Sequence, residues 1–136
     1  MYALDVALQA KFQADNGAGG VRALATGGTH KIIAPEGAVA PYLTFQNVSS
    51  VHEYSFNTLT RIRCKYLLKA YADGLDWDTP QAIIERAKAI LFDVSWSVSG
   101  YKVESRAASQ FDTQEDVSGL PSAVTVGYVD IDLLPV

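Results

Sequence analysis

Two hydrophobic periods alternate along this chain, and the switches between them mark out its elements. Leu4, Leu8 and Phe12 recur at i, i+4 and i+8, one stripe of a helix. Ala3, Ala7, Ala10 and Ala14 form a smooth flank, and Asp5, Gln9 and Gln13 a narrow polar stripe. We expect a helix over 2–15, ended by DNGAGG at 15–20, because Asn and Gly accept the left-handed backbone of a C-cap. Its narrow polar stripe predicts cover on more than one side.

VRALATGGTH at 21–30 reads as loop with at most a short strand, and KIIAPEGAVAP at 31–41 as an extended start that turns at its prolines. Period two takes over in YLTFQNVSSVHEYSF at 42–56, a strand apolar on parts of both faces, with Ser49-Ser50 as a bulge position. NTL turns the chain into TRIRCKYLLKAY at 60–71. There Ile62, Cys64, Tyr66, Leu68 and Ala70 alternate with Arg61, Arg63, Lys65, Leu67 and Lys69.

A second helix is predicted after ADGLDWDTP, with Thr79 as N-cap and Pro80 as its first residue, where the missing N–H costs nothing. Ile83, Ala87, Ile90, Leu91 and Val94 share one arc of it. Phe92 lies on the polar side, and packing at the helix end and an interface anchor are both open readings. SWSVSGYKVESRA at 95–107 predicts a strand bent at Gly100. The polar, aperiodic stretch 108–122 reads as a long loop or arm. AVTVGYVDIDLLPV at 123–136 reads as a last strand, with Val129, Ile131 and Leu133 on one face and Tyr128, Asp130 and Asp132 on the other. Strands and helices do not alternate as regular βαβ units. The fold class expected is therefore α+β, a mainly antiparallel or mixed β-sheet with two α-helices packed on one face.

A length of 136 residues predicts a single domain over 1–136. With 49% hydrophobic and 19% charged residues the chain has the makings of a core, unlike a disordered segment. The net charge of −4 gives no global field for nucleic acid or anionic lipid. The one cysteine, Cys64, reads as a small buried hydrophobe, and one cysteine with two histidines predicts no zinc site. The first residues lack a basic stretch followed by an apolar run, so neither a signal peptide nor a membrane span is expected, and synthesis in the cytoplasm is.

Candidate chemistry is sparse. No Walker loop, GxSxG, GxGxxG or HExxH occurs. GAGG at 17–20 follows a helix, whereas a phosphate loop precedes one. His52-Glu53 offers a His–carboxylate pair for general-base work without a nucleophile motif beside it, and His30 stands at the start of a strand. In DTQED, Asp112, Glu115 and Asp116 lack the spacing of a calcium loop, leaving a solvated loop or a partner-contacting arm. We assign no catalytic, cofactor or metal-binding residue.

One stretch carries a resemblance. HKIIAPEGAVAPYLTFQNVSS follows an early helix and a Gly-rich segment, and precedes a charge-alternating strand and a Pro-started helix. With Ala34, Pro35, Gly37, Pro41, Tyr42, Phe45 and Gln46 as matching positions, the strand at 60–71 and the helix at 80–94, the layout over residues 2–98 resembles the tail-terminator, or tail-completion, proteins of long-tailed phages and prophages. The resemblance implies a non-enzymatic virion protein at the head–tail junction. It implies a homohexameric ring that caps the tail tube, stops its polymerisation and meets the head-completion (neck) proteins, with DNA only passing through the lumen. A neck adaptor is the alternative within the structural class; a small ligand-binding α+β domain or an enzyme using His52 and Glu53 lies outside it.

The four cations Arg61, Arg63, Lys65 and Lys69 then have three readings. They line a lumen and meet phosphate, they meet an acidic patch of another protein, or they pair within the subunit. Asp130 and Asp132 share their two-residue period, so Arg61 and Arg63 facing these aspartates is the form the third reading takes.

Overall fold

The alternation at 60–71 builds the central strand of the molecule. The computed structural model describes residues 2–73, 76–92, 98–115 and 122–136, and for 104–115 and 122–123 the backbone alone. Its elements are α1 (Tyr2–Ala14), α2 (Val21–Leu24), β1 (Thr29–Lys31), β2 (Tyr42–Ser55), β3 (Thr58–Asp73), α3 (Asp78–Leu91), β4 (Tyr101–Glu115) and β5 (Ser122–Pro135). The sheet order is β1-β2-β3-β5-β4. Only β1–β2 is parallel; the other three pairings are antiparallel. The α+β class and the mixed sheet are as expected.

Ile62, Cys64, Tyr66, Leu68 and Ala70 of β3 all point into one core, because strand side chains alternate between faces. α1 adds Leu4, Leu8 and Phe12, and α3 adds Ile83, Ile84, Ala87 and Leu91, so both long helices share that face. Val129, Ile131 and Leu133 of β5 complete it. Phe12 meets Phe45 with ring centroids 5.8 Å apart.

Several expectations are corrected. Residues 21–24 are a helical turn, not a loop or strand. Asp15 makes it possible: its Oδ2 accepts the Val21 N–H at 2.8 Å. GAGG therefore lies between two helices rather than only after one. Asp5, placed on the polar stripe of α1, is 7% exposed. α3 begins at Asp78 with Trp77 as N-cap, so Thr79 is not the cap; its N–H is taken by Asp76 Oδ1 at 3.2 Å. The helix ends at Leu91, and Val94 lies outside the described residues. The bulge falls between Asn47 and Ser49, at Val48, one residue before the expected position.

The largest correction concerns 108–122. β4 runs through to Glu115 and β5 starts at Ser122, so strand occupies most of what read as loop. β4 is an edge strand, where backbone pairing with β5 needs no apolar pattern. The expected bend at Gly100 is present, with φ at +82° and the Tyr101 N–H donating to the Val98 carbonyl.

Ahead of β2 the chain is held closely. The Gly27 N–H donates to the Pro41 carbonyl at 2.7 Å and the Leu43 N–H to the Gly28 carbonyl at 3.0 Å. The Ala40–Pro41 peptide is cis.

Candidate functional site

Opposite the helices, β3 presents its cations on the outer face of the sheet. Arg63 stands across from Asp132 of β5, and Lys65 across from Asp130. On the β2 side Arg61 is in register with Glu53. Glu53 Oε1 is bonded to Arg63 Nε at 3.0 Å, and Lys65 Nζ lies 5.2 Å from the centre of the Tyr128 ring. Lys69 stands between Thr44 and Val126, neither of them acidic. Pairing within the subunit is thus geometrically available, but shifted by one pair from expectation: Arg63 and Lys65, not Arg61 and Arg63, face the aspartates. Register explains the shift, since the hydrophobic inner face sets which residues meet and one step along it moves every outer pair.

Among the described side chains, Lys102 and Asp73 share this face, so five cations stand against the four carboxylates Glu53, Asp73, Asp130 and Asp132 and the charge is nearly balanced. Both Arg63 and Glu53 are about half exposed, so their bridge sets register more than it stabilises.

The other expected contact residues scatter. Phe92 is the C-cap of α3, its N–H donating to the Lys88 and Ala89 carbonyls, and its side chain is 38% exposed. Asp112 and Glu115 are on β4 by backbone only, Glu115 across from Val124, and Asp116 lies outside the described residues. His52 and Glu53 are neighbours on one strand and point to opposite faces. Glu53 is engaged by Arg63 instead. His30 is bonded through Nε2 to the Gly27 carbonyl at 3.0 Å. Among the described residues no three His, Cys, Asp or Glu side chains gather to hold a metal, and no helix is long and apolar enough to cross a membrane.

Two features escape a reading by sequence pattern. The first is a projecting β-ribbon. β5 follows β3 only as far as Ile62, and β1 covers β2 only at Leu43–Phe45. Residues 53–55 and 58–61 therefore pair with each other alone. At the tip, Phe56 and Asn57 have φ of +51° and +64°, the paired positive values of a two-residue type I′ turn. The Phe56 side chain is fully exposed, and Tyr54, Val51 and Val48 are largely so.

The second is a groove of about 590 Å³ between α1 and the segment around β1. Tyr2, Val6, Gln9, Ala10 and Ile33 line it over a floor that includes Phe45. Tyr2, Val6 and Ile33 are exposed. Gln9 Nε2 donates to the Thr29 carbonyl at 3.0 Å, while Gln9 Oε1 is buried with no partner. At one end Asp5 Oδ2 meets Lys31 Nζ at 2.8 Å, and Asp5 Oδ1 accepts the Tyr66 hydroxyl. Burial first, and then this carboxylate, push the Tyr66 phenol far above its ordinary value. Burial also raises Cys64, against the Ser50 hydroxyl that donates to its sulfur at 3.7 Å. That keeps the thiol protonated and inert.

No protein-family model and no curated protein matches the chain. Solved structures do. A chain of the virion of a native gene transfer agent particle superposes with a TM-score of 0.80 at 11% identity, over 97% of this chain and 95% of that one. A second solved chain gives a TM-score of 0.58 at 12% identity, over 95% and 94%. At such identities the likeness establishes the fold.

Proposed function

We propose that this chain is a structural protein of a phage-like virion. Within that class we assign it the role of tail terminator: a non-enzymatic, homohexameric ring that caps the tail tube at the head–tail junction, ends tube growth and joins the neck proteins. The observation that carries the reading is the end-to-end superposition on a chain from a virion particle. The arrangement of residues 2–98 supports the finer role, through its resemblance to tail-completion proteins. The near-balanced outer face supports passage rather than capture of DNA, since a strongly cationic lumen would hold phosphate tightly.

Tube growth tests the reading. Purified tail-tube protein is polymerised with increasing amounts of this chain, and tube lengths are measured. A terminator shortens the length distribution in proportion to its ratio to tube protein. Lengths that ignore the chain, together with binding to isolated neck components, would transfer the assignment to a neck adaptor.

A further inference from the structure

We propose that copies of this chain join head to tail, the β2–β3 hairpin tip of one copy seated in the α1 groove of the next. Phe56 is the knob. A bulky residue in left-handed backbone is disfavoured, and a type I′ turn prefers Asn or Gly at this position. The chain nonetheless holds a fully exposed phenylalanine there. The groove shows the same signature: Ile32, between the lining residues Lys31 and Ile33, has a φ of +67° although it is β-branched. Among the described residues, Ile32, Phe56 and Asn57 are the non-glycine positions with positive φ. Strain held at such sites marks contact surfaces whose shape matters.

Size and polarity agree. The groove volume falls within the range that encloses a small ligand or a few side chains, and its lining is largely apolar. Tyr54 and Phe56 at the tip and Tyr2, Val6 and Ile33 at the groove are the exposed apolar residues that this contact buries. Phe45 on the groove floor and Phe56 at the tip are eleven residues apart along one extended ribbon, roughly 36 Å at the rise of a strand and too far for a tip to reach the groove of its own copy. One copy's knob therefore serves another copy's groove. Two different surfaces meeting in this way make a heterologous contact, which closes into a ring when the rotation permits. The contact supplies the joint of the ring proposed above and rests on that reading for its closure.

Complementation tests it. Phe56→Asn removes the knob and suits the turn; Ala10→Trp fills the groove from an exposed position of α1. Sedimentation of the full chain is followed over a wide concentration range. Wild type self-associates, and each variant alone does so about 30-fold more weakly or worse. An equimolar mixture gives a one-to-one dimer and nothing larger, because it holds one intact knob facing one intact groove. Phe56→Asn melts no lower than wild type. A monomeric wild type, variants that associate like wild type, or a mixture that stays monomeric would each overturn the joint. Tube lengths separate the two claims. Shortened tubes with wild type, together with variants that associate like wild type, reject the joint alone; variants that complement each other while wild type leaves tube lengths unchanged reject the tail role alone.

Discussion

The phenol of Tyr66, on the central strand, donates a hydrogen bond of 2.5 Å to the carboxylate of Asp5 on the first helix. The bond ties together residues 61 positions apart inside the core. Lys31 completes the set from the edge strand, so three elements converge on one carboxylate.

Removing that hydroxyl leaves the buried carboxylate one donor short. Tyr66→Phe lowers stability by about 1–3 kcal/mol, read as a lower denaturant midpoint at unchanged slope. The secondary structure measured by far-UV circular dichroism stays the same.

Asp15 gives a pH dependence. Arg86 grips it with two bonds of 2.9 and 2.8 Å, and the Val21 N–H adds a third. The Arg86 contact, with help from Val21 and against partial burial, holds this carboxyl below its ordinary value near 3.8. A lowered folded-state pKa stabilises the protein above the unfolded value, and that contribution disappears as pH falls through the folded one. Wild type therefore melts higher than Asp15→Asn at neutral pH. The gap persists down to the ordinary carboxylate range and closes below it. Melting temperatures of both proteins from pH 7 to pH 2 check this window.

Gly27 is required by space. A β-carbon there would lie 1.6 Å from the Val39 carbonyl oxygen, a backbone atom with no side chain to swing away. Gly27→Ala displaces the 38–41 segment and the start of β2, at a cost of about 2 kcal/mol or more. The loss is read by chemical denaturation, and amides of Gly27 and Leu43 exchange faster with solvent.

The outer charges act as register marks. Arg63→Glu places a third carboxylate between Glu53 and Asp132 and lowers stability by about 1 kcal/mol. Glu53→Arg in the same chain restores most of it. His52→Ala, at an exposed site, shifts the melting temperature by less than the error of the comparison.

Much of this fold is written in hydrophobic periods. Leu4, Leu8 and Phe12, the alternation of β3 and the Val129–Leu133 face each predict the surface they bury. The same logic misplaces Asp5, because a polar residue on a helix stripe reads as solvent-facing unless its partners, Tyr66 and Lys31, are known. It misreads 108–115, because an edge strand held by backbone bonds needs no apolar signal. Charge pairing was legible in kind, since two aspartates and four cations share a two-residue period. The choice of Arg63 and Lys65 over Arg61 and Arg63 was not, because it depends on long-range register. Knob and groove stayed hidden for a similar reason: Phe56 in a turn and Ile33 after a short strand look like ordinary residues until their exposure is seen.

Electron-microscope imaging of tube ends tests the central claim most directly. Tail tubes grown with this chain are imaged and their ends scored. Six-fold rings are expected on one end of each tube, and capped tubes do not resume growth when fresh tube protein is added. Bare ends and unrestrained growth would contradict it.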